Sequence, residues 1–585
     1  MGRNPLEEKN TGIHHRIIKY TLIMHSSRRG ISELPFILKQ NGVHHAVISP
    51  GSRNAPLVMS LTQNNLIHCK SITDERSAGY FALGMAQQLR QPVAIVCTSG
   101  TAVLNYAPAL AEALYAHIPL IAITADRPPE WIDQNDGQTI RQNNVFDQVV
   151  RKSFQLPVET AHDNDLWLFR RTLAEALQAA TQNLFAPVHI NVPLREPLYD
   201  PLPKPLNLHH SIKTTQPSFN TNIENLTSFS EQWKTSEKRL IICGMYQEEI
   251  PHHILHNIAV DKEAVVIAEN ISGIAGSNFI DNPDRFLASL NESERKDFQP
   301  DLLITMGGAV LSKKLKQYLR LYKPTKHWHI SRSSKLIDTF QALSDLINLP
   351  PVTFFDQLKR NKDSSNDYAG KALQAYRKSF EKHIRFLKTI PFCDLYVFDQ
   401  IWQTLPENIN LHLANSTPIR YSQLFPTHSN IHYFSNRGVS GIDGCVSTTT
   451  GAASVTENLN ILLTGDLAFI YDSNGLWNNH LPNNLRIIVL DNNGGNIFKI
   501  IDTGSASNRV RQFLETPHHV DIQKLCMAYN TDYHHAGNKN ELSELLQDFF
   551  KPNSRPVVLH ITTDGDLSAN IFKQYFQQIS FKNEH

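Results

Sequence analysis

The 585-residue chain has no Cys-x-x-Cys pair, no apolar run of membrane length and almost no net charge. Its six cysteines, Cys69, Cys97, Cys243, Cys393, Cys445 and Cys526, stand far apart. This excludes a disulfide framework and a thiolate zinc site and predicts the reduced thiols of a cytoplasmic protein. Lys and Arg number 56 against 55 Asp and Glu, a net of +1, so no global field recruits nucleic acid or an anionic membrane surface. No stretch approaches the roughly 18 apolar residues of a spanning helix. Residues 1 to 23 are polar and basic, lack the apolar centre of a secretory signal, and are expected to form a disordered extension before Met24. The 27 histidines include pairs such as His44-His45 and His534-His535 but no His-Glu-x-x-His arrangement, and read mostly as surface or satisfied structural residues. Repeats and low-complexity tracts are also missing.

What is there is an ordinary globular composition, 41% hydrophobic and 19% charged, on a chain long enough for three or four domains. Short apolar runs alternate with helical patterns, which predicts α/β domains of doubly wound parallel sheet. Three such domains are expected, over residues 24–200, 215–360 and 375–585. The first carries strands at Val43 to Ser49, Leu66 to Ile72, Val93 to Cys97, Leu120 to Ala125 and near Pro187 to Val192, with helices at Ala55 to Leu61, Glu75 to Leu89 and Val103 to Ala116. Pro193, Pro197, Pro201, Pro203, Pro205 and Pro217 mark a semi-rigid linker behind it. The second has strands at Leu240 to Cys243, Ala264 to Ala268, Leu302 to Met306 and His327 to Ile330, and the polar stretch Arg360 to Gly370 closes it. Strands near Leu411 to Ala414, Ile461 to Thr464, Arg486 to Leu490 and Val557 to Ile561 build the third, whose likeness to the first is compatible with an old duplication.

Gly465-Asp466 ends one apolar strand, and Asp491-Asn492-Asn493-Gly494-Gly495 ends the next. Ligands of open α/β sheets lie beyond the carboxyl ends of strands. A hard cation such as Mg²⁺ takes oxygen ligands and keeps phosphate oxygens in its shell. Asp466, Asn493 and the carbonyl of Gly495 are therefore candidate metal ligands, against the plainer reading of either segment as loop punctuation. In the first domain Ser49-Pro50-Gly51-Ser52-Arg53 and Thr98-Ser99-Gly100-Thr101 each follow a strand and open a helix, offering hydroxyls and backbone donors. Ala125-Asp126-Arg127 ends another strand on the same edge, and Gln138 lies downstream.

Gly465-Asp466 with Asn492-Asn493 resembles the thiamine diphosphate motif of the decarboxylase and synthase superfamily. Leu467 stands where that motif usually has a second glycine, which leaves the ligands in place. Ser-Pro-Gly-Ser-Arg at 49–53, Thr-Asp-Glu-Arg-Ser-Ala at 73–78, Thr-Ser-Gly-Thr-Ala at 98–102, Ala-Asp-Arg-Pro-Pro-Glu at 125–130 and Ser-Asn-Arg-Gly-Val-Ser-Gly-Ile-Asp-Gly at 435–444 narrow the likeness. Together they resemble the 2-succinyl-5-enolpyruvyl-6-hydroxy-3-cyclohexene-1-carboxylate synthase family of menaquinone biosynthesis, from about Met24 to the C-terminus.

The resemblance implies an aminopyrimidine-binding first domain, a modified Rossmann-like second and a diphosphate- and metal-binding third. It implies a transferase using thiamine diphosphate with Mg²⁺ or Mn²⁺, which decarboxylates 2-oxoglutarate and adds the succinyl carbanion equivalent to isochorismate. Glu75 maps onto the catalytic glutamate that helps the cofactor lose its thiazolium proton. Ser49, Thr98, Ser99, Gly100, Ile442, Gly465, Asp466, Leu467, Asn493, Ile497 and Phe498 map near the cofactor. Arg53, Arg127, Gln138, Lys313, Lys314, Ser416, Arg420 and Arg437 map onto substrate contacts, with Lys314 where the family often has Arg. Arg forks suit carboxylates because they bind bidentately. The family is a homodimer or homotetramer with active sites at a subunit interface. The alternatives are another thiamine diphosphate decarboxylase or carboligase, or a silent scaffold that keeps the fold; intact Glu75, Asp466 and Asn493 favour the enzyme.

Overall fold

The computed structural model describes residues 28–63, 65–202, 226–245, 252–358, 366–501 and 508–580. The expected extension 1–23, the linker prolines Pro203, Pro205 and Pro217, and much of the boundary at 360–370 lie outside the described residues. Two compact units emerge, one of Met1–Gln216 with Thr450–Thr456 and Asn474–His480, the other of the remaining chain. Among the described residues no helix is long and apolar enough to cross a membrane.

The first unit holds one sheet of β1 (His45–Ile48), β2 (His68–Ser71), β3 (Val93–Cys97), β4 (Leu120–Asp126), β5 (Ser153–Gln155) and β6 (Val188–Pro193). All pairings are parallel, in the order β2-β1-β3-β4-β6-β5. Strands covered on both faces must be apolar throughout, and β3 and β4 are buried at every position. Alternate side chains serve opposite faces. Ala46 and Ile48 of β1 join one core with Ile31, Leu34 and Leu38 of helix Arg29–Gln40 and with Phe169, Leu173 and Leu177 of helix Asp163–Thr181. Helix Glu75–Leu89 packs against β1 and β3. The expected helix from Val103 to Ala116 is two, Thr101–Leu104 and Ala107–Ala116, because Pro108 cannot donate the N–H that would carry the first into the second.

The second unit holds two more six-stranded sheets, again parallel at every pairing. One comprises β7 (Arg239–Cys243), β8 (Ala264–Ala268), β9 (Phe279–Ile280), β10 (Leu302–Met306), β11 (Lys326–Ile330) and β12 (Asp345–Ile347) in the order β12-β11-β10-β7-β8-β9. This is the Rossmann order, two halves wound outward from a central pair. Ile241, Val266 and Ile304 face one core while Leu240, Val265 and Leu303 face another. The other sheet comprises β13 (Ile409–Leu413), β14 (Ile431–Phe434), β15 (Asn460–Gly465), β16 (Leu485–Asp491), β17 (Asp532–Ala536) and β18 (Val557–Thr562) in the order β14-β13-β15-β16-β18-β17. Renumbered from one, this order equals that of the first unit's sheet, the relation a duplication would leave.

Candidate active site

In an order of this kind the chain winds away in opposite directions from the first and third strands, and the crevice at their carboxyl ends receives ligands. In the first unit those ends are Ser49-Pro50-Gly51 after β1 and Thr98-Ser99-Gly100 after β3. The two loops touch: a Cβ at Gly51 would lie 2.3 Å from Thr98 Cβ, so only glycine lets them approach. Thr98 Oγ1 is buried without a hydrogen-bond partner among the described residues, and Ser99 Oγ donates to the Gln138 carbonyl at 2.8 Å. Gly100 sits at φ +82°, where a side chain would meet the Gln138 backbone at 3.2 Å. Gln138 thus contributes its backbone inside the unit, and its side chain is exposed. Gln142 is the organising residue that no sequence pattern revealed. It is buried, its amide donates to Ala125 O (2.9 Å), Thr124 Oγ1 (3.1 Å) and Asn191 Oδ1 (2.8 Å), and its Oε1 accepts the Gly100 N–H (3.3 Å).

Glu75 begins helix Glu75–Leu89, capped by Asp74, whose carboxylate accepts the Ser77 N–H at 3.1 Å. Partial burial pushes the Glu75 carboxyl above its ordinary range, its own backbone N–H opposes this, and Asp74 adds to it. Ser49, Cys97 and Tyr106 lie in one buried neighbourhood with it. Arg53 is nearly fully buried, donating to Leu194 O (3.0 Å) and Glu196 Oε1 (2.9 Å). Arg127 pairs with Asp136 at 3.0 Å and donates to Gly137 O at 3.0 Å. Burial and the charge of Arg127 both lower the Arg53 pKa, so the two guanidinium groups share one neighbourhood.

In the second unit the corresponding crevice lies beyond β13 and β15. Asp466 follows β15, is 2% exposed, and has both carboxylate oxygens fixed. Oδ1 accepts the Leu467 N–H at 2.7 Å; Oδ2 accepts the Gly494 N–H at 2.6 Å and faces His518 Nε2 at 3.2 Å. The next loop turns sharply, with Asn493 at φ +61° and Gly494 at φ +124°, and a Cβ at Gly494 would lie 2.3 Å from the Glu515 carbonyl. Asp491 accepts the Asn493 N–H at 3.0 Å and bonds His560 at 2.9 Å. Asn492 donates to the fully buried Asp394 at 2.8 Å, which ties the loop to helix Asp394–Thr404. Burial pushes the Asp466 carboxyl up to about 6, against the Gly494 N–H and with the charge of Asp491. Asp491, where burial is outweighed by His560 and the Asn493 N–H, sits below its ordinary range.

Oxygens of Asp466, Asp491 and a nitrogen of His518 lie within 4.8 Å of one another. The Asp466 carboxylate, the Asn493 amide oxygen and the Gly495 carbonyl, which accepts one N–H from Phe498 at 3.0 Å, form an oxygen donor set that fits a divalent cation. Ile497 is buried in the short helix Ile497–Ile500, and the Phe498 ring lies beside Gly495. Ile442 is half-buried in the loop before helix Cys445–Ala453.

A group of cations in this unit lies around two carboxyls. Ser416 takes φ +76°, Arg420 donates to its carbonyl, and Arg437 donates to Asn415 Oδ1 at 2.9 Å. Lys313 and Lys314 open helix Lys313–Leu321, where Lys313 is exposed and the Lys314 ammonium stands 3.5 Å above the Phe576 ring. Asp284, half-buried and bonded by Ser312, feels the charges of Lys314, Arg420 and Lys316. Lys316 in turn feels Glu269, Arg437 and Lys313. Burial raises Glu269 to about 7 against two backbone N–H groups, so positive charge predominates here. The structure therefore brings Lys313, Lys314, Arg420 and Arg437 together and adds Lys316, Asp284 and Glu269, none of which a motif had marked.

Residues 34–149 match the family model described as "Thiamine pyrophosphate enzyme, N-terminal TPP binding domain", and residues 208–413 match "Middle domain of thiamine pyrophosphate". A 2-succinyl-5-enolpyruvyl-6-hydroxy-3-cyclohexene-1-carboxylate synthase of Flavobacterium psychrophilum is 41% identical over 550 residues, covering 93% of this chain and 98% of that protein. The synthase of the same name from Flavobacterium johnsoniae is 39% identical over 553 residues, 93% and 98% of the two chains. That of Christiangramia forsetii is 39% identical over 558 residues, 91% and 96%.

Proposed function

The chain belongs to the 2-succinyl-5-enolpyruvyl-6-hydroxy-3-cyclohexene-1-carboxylate synthase family of thiamine diphosphate-dependent enzymes, and on that premise we propose the reaction and residue roles that follow. The protein decarboxylates 2-oxoglutarate and joins the four-carbon remainder to isochorismate, releasing CO₂, as a cytoplasmic step of menaquinone biosynthesis. The observation that carries the substrate reading is the cationic cluster of the second unit. Lys314, Lys316 and Arg420 act on Asp284, Lys316 also feels Glu269, Arg437 and Lys313, and Glu269 keeps its proton up to about 7. Such an excess suits a dicarboxylate, which a chain of net charge +1 must hold locally. Arg53 and Arg127 supply a second pair of cations, and Ser416 and Gln138 supply polar contacts.

Thiamine diphosphate, once bound, supplies the electron sink for decarboxylation and the nucleophilic carbon. The protein's part is to hold, orient and move a proton. Asp466, Asn493 and the Gly495 carbonyl hold Mg²⁺ or Mn²⁺ for the diphosphate. Thr98 Oγ1, Ser49 and the Gly100 loop provide polar contacts, and Ile442, Gly465, Leu467, Ile497 and Phe498 wall the cofactor. Glu75, whose carboxyl partial burial pushes above its ordinary range, shares a proton with the ring nitrogen of the cofactor's pyrimidine. The domain reading is 24–200 for the pyrimidine, 215–360 for the central unit and 375–585 for the diphosphate. A homodimer or homotetramer is the assembly we assign from the family, and analytical ultracentrifugation tests it, a monomer overturning it.

Purified protein with thiamine diphosphate and Mg²⁺ is expected to consume 2-oxoglutarate and isochorismate together, followed by CO₂ release. Turnover with pyruvate but not 2-oxoglutarate overturns the substrate assignment. Glu75→Gln is expected to keep the circular-dichroism spectrum and lose about 10²–10⁴-fold in kcat.

A further inference from the structure

His518 lies in a loop between helices Asn508–Glu515 and Ile522–Ala528 that carries no family motif, yet its ring meets the proposed metal carboxylate. Three contacts fix it. Its backbone N–H donates to Asn493 Oδ1 at 3.1 Å, its Nδ1 accepts the Val520 N–H at 3.2 Å, and its Nε2 faces Asp466 Oδ2 at 3.2 Å. The side chain is 13% exposed. Because Nδ1 accepts, the ring proton resides on Nε2, and the imidazole is a donor to Asp466. Among the described residues, Asp466 Oδ2 then takes two donors, Gly494 N–H and His518 Nε2–H, while Oδ1 takes one, Leu467 N–H.

We propose that His518 is a positioning residue for the cation site, holding the Asp466 carboxylate through Nε2–H so that Oδ1 is the oxygen presented to the metal. Its backbone N–H sets the Asn493 amide in the same way, so one residue orients two proposed ligands. The inference rests on the reading of Asp466 and Asn493 as metal ligands. His518 is not itself a ligand, because its Nε2 carries the proton that a metal bond would displace while Nδ1 is engaged by Val520. Partners that orient metal ligands typically contribute about 10–100-fold to metal affinity.

The test is Mn²⁺ binding to the full-length protein with thiamine diphosphate present, followed by the electron paramagnetic resonance signal of free Mn²⁺. His518→Ala is expected to weaken Mn²⁺ about tenfold or more. His518→Gln, whose amide N–H reaches a similar position, is expected to stay within about threefold of wild type, and both variants should keep the wild-type melting temperature within a few degrees. Wild-type affinity in His518→Ala overturns the proposal, as does equal weakening in Ala and Gln variants. Strong nitrogen modulation of the Mn²⁺ spin echo, the mark of a directly bound imidazole, also overturns it. Asp466→Ala separates the two readings: undiminished Mn²⁺ binding there removes the metal-site assignment itself, whereas lost binding there with wild-type binding in His518→Ala removes only the role of His518.

Discussion

At the scale of single residues, polar groups buried beside the crevices matter as much as those that face them. Gln142 satisfies three acceptors on β4 and β6 and one donor in the loop after β3. Gln142→Ala takes this partner from Ala125 O and the Gly100 N–H, while Asn191 Oδ1 keeps Thr124 Oγ1, and a buried group left orphaned costs about 1–3 kcal/mol. A lower melting temperature and a raised KM for thiamine diphosphate are expected. Gln142 was not legible in sequence because a buried network is defined by who meets whom in space, and a glutamine in a polar stretch looks like any loop residue. Asp466 and Glu75 were legible, since each sits at the end of a patterned element where the chemistry is exposed by position. The Lys314 ammonium above Phe576 shows the limit: the match of positions identifies the residue, while its partner depends on a helix more than 200 positions away in the chain.

At the scale of elements, apolar runs located the interior strands to within one or two residues. Five strands carried no such signal: β5, β9, β12, β14 and β17. All five lie at the edges of their sheets. An edge strand is paired on one side and partly open to water, so it is short or polar, as in Asp532-Tyr533-His534-His535-Ala536 of β17. Close approach between loops is an element-level constraint too. Gly51→Ala would force a Cβ into Thr98, and Gly494→Ala would add both a clash with Glu515 O and strain at φ +124°. Overpacking of this kind costs about 1–3 kcal/mol. Gly494→Ala is expected to weaken Mn²⁺ binding as well as stability, whereas Gly51→Ala should spare Mn²⁺ affinity and raise the KM for the cofactor.

At the scale of the whole molecule, buried histidines shape the response to acid. Burial holds His189, His327 and His412 neutral, with pKa values lowered to about 4, and His383 to about 3. The unfolded chain takes up these protons near 6.5 and the folded chain does not. Stability conferred by the neutral rings is complete above about 6.5 and falls as pH drops toward 4, by up to about 1.4 kcal/mol per pH unit for each ring. Calorimetric melting between pH 7 and 4.5 should show this slope, and His412→Gln, which keeps an amide donor for Asn460, should flatten it. An unchanged slope would remove the assignment of acid sensitivity to that ring.

The sequence by itself determined the α/β class, the interior strands, the family and the positions of Glu75, Asp466 and Asn493, because burial on both faces of a sheet and the ends of strands leave local patterns. Only the tertiary structure decided that the first and third sheets share one strand order, that Gln142 ties the loop after β3 to β4 and β6, that Asp284 and Glu269 sit among the cations, and that His518 reaches Asp466. These depend on pairs of groups far apart in the chain, whose meeting is fixed by sheet order and packing rather than by any spacing along it.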